Sequence, residues 1–410
     1  MGDVTAATNT VKDRLDQGIF DWDVSHADLI DISSEISNLT PAERNELVSK
    51  LSNDDLKNLT QEIDGDMGSL SASERQALFN SLAEGLDGTQ LARLAKAFDG
   101  SPTGLDALGQ AIAQHASPEA QAGFIEAVRS DIGSNESITT LAAAALAGLA
   151  DSQSDFDSTV KSLTDDQMKS LINAGLGHQE GTAYFIPTVA MDIINAAAQS
   201  SDLQVKASVF EAATTQFNLM NGTMFQGAYM ESVQNLITSD PNGIVNELQS
   251  RSDLSGTSLA EFSKWMLKSG QEEGLRDLLI QMQQGNDGQE NAFENFSDPA
   301  HARNLGFMAG AIAAGINSLT SDAQAQASML SNIFGTGFGL AGGPMATVGN
   351  GITSAIIEQI ISDVASGGTD LKQAMYELAI PRNGEAQVNM SGTGYDAFNA
   401  SFSAVTELNR

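Results

Sequence analysis

From Asn304 to Ile357 this chain carries one charged side chain, Asp322. The chain as a whole holds 53 acidic and 20 basic residues, a formal net charge of -33. A segment so poor in charge, inside a protein so acidic, has two physical fates: the centre of a helical fold, or lipid. Leu305, Met308, Ile312, Ile316 and Leu319 recur every three or four residues with Ala and Gly between them, so this part reads as a helix apolar nearly all round. Gly306 and Gly310, Gly335 and Gly339, and Gly339 and Gly343 have the spacing that lets helix backbones approach closely. The uninterrupted apolar run from Leu305 to Ile316 is shorter than the roughly 20 residues of a spanning helix. The run Phe334-Gly335-Thr336-Gly337-Phe338-Gly339-Leu340-Ala341-Gly342-Gly343-Pro344 reads as a turn between two helices. Beyond it, Ile352, Ile356, Ile357, Ile360, Ile361 and Val364 share one helical face, with Glu358, Gln359, Ser362 and Asp363 on the other.

Helix starts are clearly written. Thr40-Pro41-Ala42-Glu43 and Ser71-Ala72-Ser73-Glu74 are capping boxes, and Ser117-Pro118-Glu119 and Thr164-Asp165-Asp166-Gln167 resemble them. The pairs Asp64-Gly65, Asp87-Gly88 and Asp99-Gly100 read as stops. An internal repeat aligns Leu39 to Arg44 with Leu70 to Arg75, then Leu47 and Leu51 with Leu78 and Leu82. After an insertion at Glu84 to Gly88, it aligns Leu56, Leu59 and Ile63 with Leu91, Leu94 and Phe98. Each copy is a pair of short helices that cannot bury its stripe alone, and a degenerate third copy is expected from Ser117. Two arrangements stay open, a bundle with duplicated hairpins and a true stacked array.

These signals predict a mostly α multi-helix bundle, with tyrosine, tryptophan and long β-alternations too scarce for an all-β fold. The expected regions are a hairpin-repeat region over 1–150, a Ser/Asp linker from Ser152 to Asp157, and a middle helical region over 158–300. The charge-poor hairpin and amphipathic helix follow over 301–380, then a tail over 381–410 with a last helix from Tyr395 to Leu408.

Composition excludes several functions. A phosphate backbone needs a basic face, and Lys and Arg are few and scattered, so no nucleic-acid partner is expected. With no cysteine there is no thiolate metal site or thiol nucleophile. His26, His115, His178 and His301 form no paired metal-ligand motif. Gly337-Phe338-Gly339-Leu340-Ala341-Gly342 fits a dinucleotide fingerprint by letter but lacks the surrounding βαβ unit. Asp64-Gly65-Asp66 starts like a calcium loop but lacks its later ligands. No metal, cofactor or catalytic residue is expected. The polar N-terminus has no apolar core of a secretory signal, so the reading is export without a cleavable signal peptide, or residence in the cytoplasm before export.

Asn9-Thr10-Val11-Lys12-Asp13-Arg14-Leu15-Asp16, Asp21-Trp22-Asp23-Val24 and Leu39-Thr40-Pro41-Ala42-Glu43-Arg44-Asn45 resemble a helical region of large secreted bacterial effectors, the polymorphic-toxin and contact-dependent or type VI secretion class. So do Leu305-Gly306-Phe307-Met308-Ala309-Gly310 through Asn332-Ile333-Phe334-Gly335, and Asp370-Leu371-Lys372-Gln373-Ala374-Met375-Tyr376-Glu377-Leu378-Ala379. The resemblance implies a delivery or carrier portion without its own enzyme. It implies as partners a target membrane, or a protein such as an immunity protein or chaperone. The leading expectation is a pore-forming or membrane-inserting effector whose hairpin enters lipid through Ile312, Ile316, Ile333, Phe334, Phe338, Ile356 and Ile360. The alternative is a soluble helical carrier or interaction protein whose hairpin never leaves the core.

Overall fold

Capping side chains fix where most of the helices begin. The computed structural model describes residues 4–15, 24–64, 70–98, 101–177, 188–251, 255–284, 296–334, 354–380 and 393–408. The chain is a mostly α multi-helix bundle, with 23 α-helices and no strand among those residues. It divides into two compact units, Met1–Ser200 and Ser201–Arg410.

The N-terminal unit holds α1 (Val4–Leu15), α2 (His26–Asn38), α3 (Pro41–Lys50), α4 (Asn53–Asp64), α5 (Ala72–Gly85), α6 (Gly88–Ala97), α7 (Pro102–His115), α8 (Pro118–Val128), α9 (Glu136–Gly148), α10 (Gln153–Ser162), α11 (Asp165–Gly175) and α12 (Thr188–Gln199). The predicted capping boxes form. Thr40 N donates to the Glu43 carboxylate at 2.9 Å, and Ser71 N donates to that of Glu74 at 2.8 Å. Thr164 and Gln167 close a third box, and Ser25 with Asp28 a fourth. Such caps satisfy amide groups that the first helical turn cannot pair.

The helices then stack in two layers. In one, α3 packs on α5, α5 on α7, α7 on α9 and α9 on α11; in the other, α4 packs on α6, α6 on α8 and α8 on α10. Each helix touches the second one along, the order produced when helical hairpins stack. The repeat leucines Leu47, Leu51, Leu56, Leu59, Leu78, Leu82, Leu91 and Leu94 are all buried in this stack. The insertion at Glu84 to Gly88 is absorbed by α5, which has 14 residues where α3 has 10. By layer order the third copy is α7 with α8. It starts at the Ser101 cap, and Ser117 caps its second helix.

Two local expectations change. Asp87-Gly88 is a start and not a stop: Asp87 Oδ1 accepts from Gln90 N at 2.9 Å, and Gly88 opens α6. The glycine is there for packing, because a Cβ would lie 2.3 Å from the backbone carbon of Gly123 in α8. The Ser/Asp stretch from Ser152 is the beginning of α10 and not a linker, since Phe156, Thr159 and Val160 bury its inner face. Asp64 ends α4, while Gly65 and the Asp99-Gly100 pair lie outside the described residues.

Several arginines are used inside the stack. Arg44 is buried and donates to Ile36 O at 3.0 Å, Ser37 O at 3.3 Å and Ser81 O at 2.8 Å. Arg93 donates to Val48 O at 3.1 Å and Leu51 O at 2.7 Å, and Arg129 to Ser162 O at 3.1 Å. All but Ser81 O sit at helix C-termini, where the macrodipole is negative; Ile36 O and Val48 O also accept from Leu39 N and Leu51 N, so the guanidinium is their second donor.

The second unit holds α13 (Leu203–Thr214), α14 (Phe217–Met220), α15 (Gln226–Thr238), α16 (Pro241–Ser250), α17 (Ser255–Lys268), α18 (Glu272–Gln284), α19 (Pro299–Leu319), α20 (Ala323–Phe334), α21 (Ser354–Ala365), α22 (Leu371–Ala379) and α23 (Thr393–Leu408). The centre is α19, in which every residue from Asn304 to Ile316 is buried. Its chief partners are α23 and α17, whereas α20 packs on α21. The predicted last helix exists, and it is core. The glycine spacing explains the choice of partner. A Cβ on Gly306 would lie 2.3 Å from Phe398 O, and one on Gly310 2.9 Å from Phe402 O. Gly315 meets α17 in the same way, 2.9 Å from Lys264 N. The one buried amide of this stretch is satisfied: Asn304 Oδ1 accepts from Gln249 Nε2 at 2.7 Å, and its Nδ2 donates to Asn242 O at 3.1 Å.

Gly306→Ala should therefore destabilise the second unit by about 2 kcal/mol, as overpacking of a tight contact does. Gly227→Ala is the control: Gly227 lies in α15 with nothing within 4 Å of a built Cβ. It should be neutral or stabilise by about 0.5 kcal/mol through lost backbone freedom in the unfolded chain. Urea unfolding of the two variants measures the contrast.

Candidate functional site

The N-terminal unit contains a groove of about 1080 Å³. It lies between α7, α9 and α12, with contributions from α8, α11 and the turn Leu149–Asp151. Helical spacing places its residues. Asp106, Gly109, Gln110, Ala113 and Gln114 share one face of α7; Thr140, Ala144, Ala147 and Gly148 share one face of α9; Asp192, Asn195, Ala196 and Gln199 share one face of α12. Its floor is Ala and Gly. At Gly148 a Cβ would lie 2.6 Å from Ala113 O, and at Gly175 2.9 Å from Ala190 N. The small residues let the helices close up beneath the groove, and they leave the space above it empty.

The polar lining is one-sided. Asp106, Asp151 and Asp192 line the groove, and among the described residues that line it none is basic. Asp192 makes no hydrogen bond or ion pair among the described residues. It is exposed, yet the surrounding protein removes enough hydration to push its carboxyl pKa above the ordinary value. Gln121, only 2% exposed, donates through Nε2 to Ile112 O at 2.8 Å and Ala113 O at 3.0 Å, the last carbonyls of α7. Two carbonyl partners fix the amide orientation, because an oxygen there would be repelled. Among the described residues Gln121 Oε1 then has no partner, and neither does the buried Thr140 Oγ1. Unpaired buried polar atoms of this kind are few in native proteins and call for an explanation.

A smaller cavity of about 220 Å³ in the second unit is lined by Asp370, Lys372, Tyr376, Tyr395 and Phe402. Lys372 Nζ stands 5.8 Å from the Phe402 ring centre. Burial, followed by the neighbouring Tyr395, raises the Tyr376 hydroxyl pKa.

The residues named from the sequence lie elsewhere. Ile312 and Ile316 are buried on α19, and Ile333 and Phe334 at the end of α20. Ile360 is buried and Ile356 half-buried on α21, and Phe338 lies outside the described residues. The α20 and α21 residues face a shared contact, while α19 turns chiefly to α23 and α17. Among the described residues no helix is long and apolar enough to cross a membrane. None of their His, Asp and Glu residues gather in threes as a metal site would need. The groove escaped the sequence reading because its faces come from helices far apart in the chain. The available signal was the pairing of amides and small residues at three- and four-residue spacing in α7 and α12. Comparison with protein-family models gives no match, and comparison with curated proteins gives none.

Asp192 carries a measurable consequence. Its folded pKa lies above its unfolded one, so the ionised form opposes folding. Its contribution is most favourable below the ordinary value of 3.8 and is lost as pH rises through the raised folded pKa. Asp192→Asn should raise Tm at pH 7 by on the order of 1 °C, discounted for exposure. The difference should vanish at about pH 3, where both states carry a neutral carboxyl. Thermal denaturation at the two pH values checks it.

Proposed function

We propose that this chain is a non-enzymatic binding protein that takes its partner in the groove of the N-terminal unit. In the terms of its resemblance, it is a helical carrier or interaction module of a bacterial secretion or toxin-delivery system. The observation that carries this reading is an acid-lined groove on a stacked-helix scaffold, two of whose lining residues, Gln121 and Thr140, hold buried oxygens with no partner among the described residues. Stacked helical arrays present extended concave surfaces suited to such recognition. The partner is a protein, in the role of chaperone or immunity protein.

Ala147 lies half-exposed on the floor, so Ala147→Phe fills the groove from an accessible position. Tagged wild-type protein and this variant, each produced in the source cell, are compared by quantitative mass spectrometry of what co-purifies. The reading expects a partner recovered with wild type and lost at least about tenfold with the variant, at unchanged Tm. Equal recovery of every partner with both proteins overturns it.

A second reading is favoured by α19. A helical stretch such as Asn304 to Ile316, uncharged and buried at every residue, is what an inserting element looks like before release, and α20 and α21 supply further apolar faces. In this reading Ile312, Ile316, Ile333, Phe334, Phe338, Ile356 and Ile360 contact lipid. The acidic chain is repelled by an anionic bilayer at neutral pH, so insertion would require acid or a partner. Release of dye from liposomes at pH 5 and not at pH 7 is its expected outcome. Intact liposomes at both pH values remove it.

A further inference from the structure

We infer that the groove of the N-terminal unit is a cation site that takes a basic peptide segment, with lysine or arginine stems along the Ala/Gly floor and their charged ends at Asp106, Asp151 and Asp192. The inference rests on the groove being the binding site, and it names the chemistry of the occupant. Three features of the groove agree on that chemistry.

The first is charge: the described lining holds three carboxylates and no basic side chain. In a chain of net charge -33, Arg44, Arg93 and Arg129 are turned to helix carbonyls and do not reach this lining. The second is the sense of the unpaired atoms. Gln121 Oε1, on a side chain 2% exposed, can only accept a hydrogen bond, and Thr140 Oγ1 can accept one. The third is the floor. Gly109, Ala113, Ala144 and Ala147 offer methyl groups and backbone, a strip suited to the methylene stems of lysine and arginine. At about 1080 Å³ the groove is at or above the upper end of single small-molecule sites, which favours a peptide stretch.

The test uses the full chain and a fluorescein-labelled peptide of alternating lysine and alanine, eight residues long, in about 0.15 M salt to suppress long-range attraction. Its charge-reversed counterpart alternates glutamate and alanine. Fluorescence anisotropy should show the lysine peptide binding and the glutamate peptide not binding. The variant Asp106→Asn, Asp151→Asn, Asp192→Asn should weaken binding about tenfold or more. A control removes the same charge from positions outside the groove, Glu35→Gln, Asp54→Asn, Asp166→Asn, and should change affinity less than about twofold. Circular dichroism shows that both variants fold.

Equal losses in the groove and control variants would overturn the inference, because the peptide would then be sensing net charge alone. Spermine that displaces the labelled peptide at equal concentration would also overturn it, in favour of a free polyamine. If the lysine peptide does not bind while Ala147→Phe still loses the native partner, the cation assignment falls and the binding groove stands. If Ala147→Phe retains its partner, the groove reading itself has failed.

Discussion

Everything else in this protein depends on helix backbones being able to touch. At Gly88 against Gly123, Gly306 against Phe398 and Gly310 against Phe402, a single β-carbon would sit closer than packing allows. Contacts of this kind gain dispersion energy over the full length of two helices, whereas bulky side chains would hold the axes apart. They also suit a chain with few aromatic residues. With 6% aromatic content there is little large-volume filler, so density is reached by moving backbones inward.

The same economy governs charge. Among the described residues the buried acids are Asp28 and Glu211, while Arg44, Arg93 and Arg129 are directed at carbonyls at helix C-termini. Gln121 and Gln167 do the equivalent with neutral amides, on Ala113 O and Arg129 O. Arg93 on α6 and Gln167 on α11 thus tie one hairpin to another, whereas Gln121 on α8 finishes α7 of its own hairpin. Gln121, a groove-lining residue, finishes α7 with its nitrogen, and its buried oxygen has no partner among the described residues.

Much of the fold was written locally. The boxes at Thr40, Ser71 and Thr164 set helix starts, and the paired leucines of the first two copies marked what is buried, because capping and helical periodicity act within a few residues. Long-range choices were less legible. Asp87-Gly88 has the letters of a stop, and only the nearness of Gly123 shows it to be a start. The partner of α19 could not be guessed from the neighbouring helix, since among the described residues α20, α21 and α22 come before α23. The groove was hidden for the same reason: its faces become one surface only after stacking.

The pairing of α19 with α23 also has a meaning in time. The faces of Gly306 and Gly310 are covered by residues that leave the ribosome much later. At about 5–20 residues per second, the interval between Gly306 and Phe398 is on the order of 5–20 s. Throughout it, the central helix of the second unit exists without its lid. Synthesis thus opens a regular window in which a cellular chaperone has a defined apolar segment to hold, and the emergence of α23 closes it.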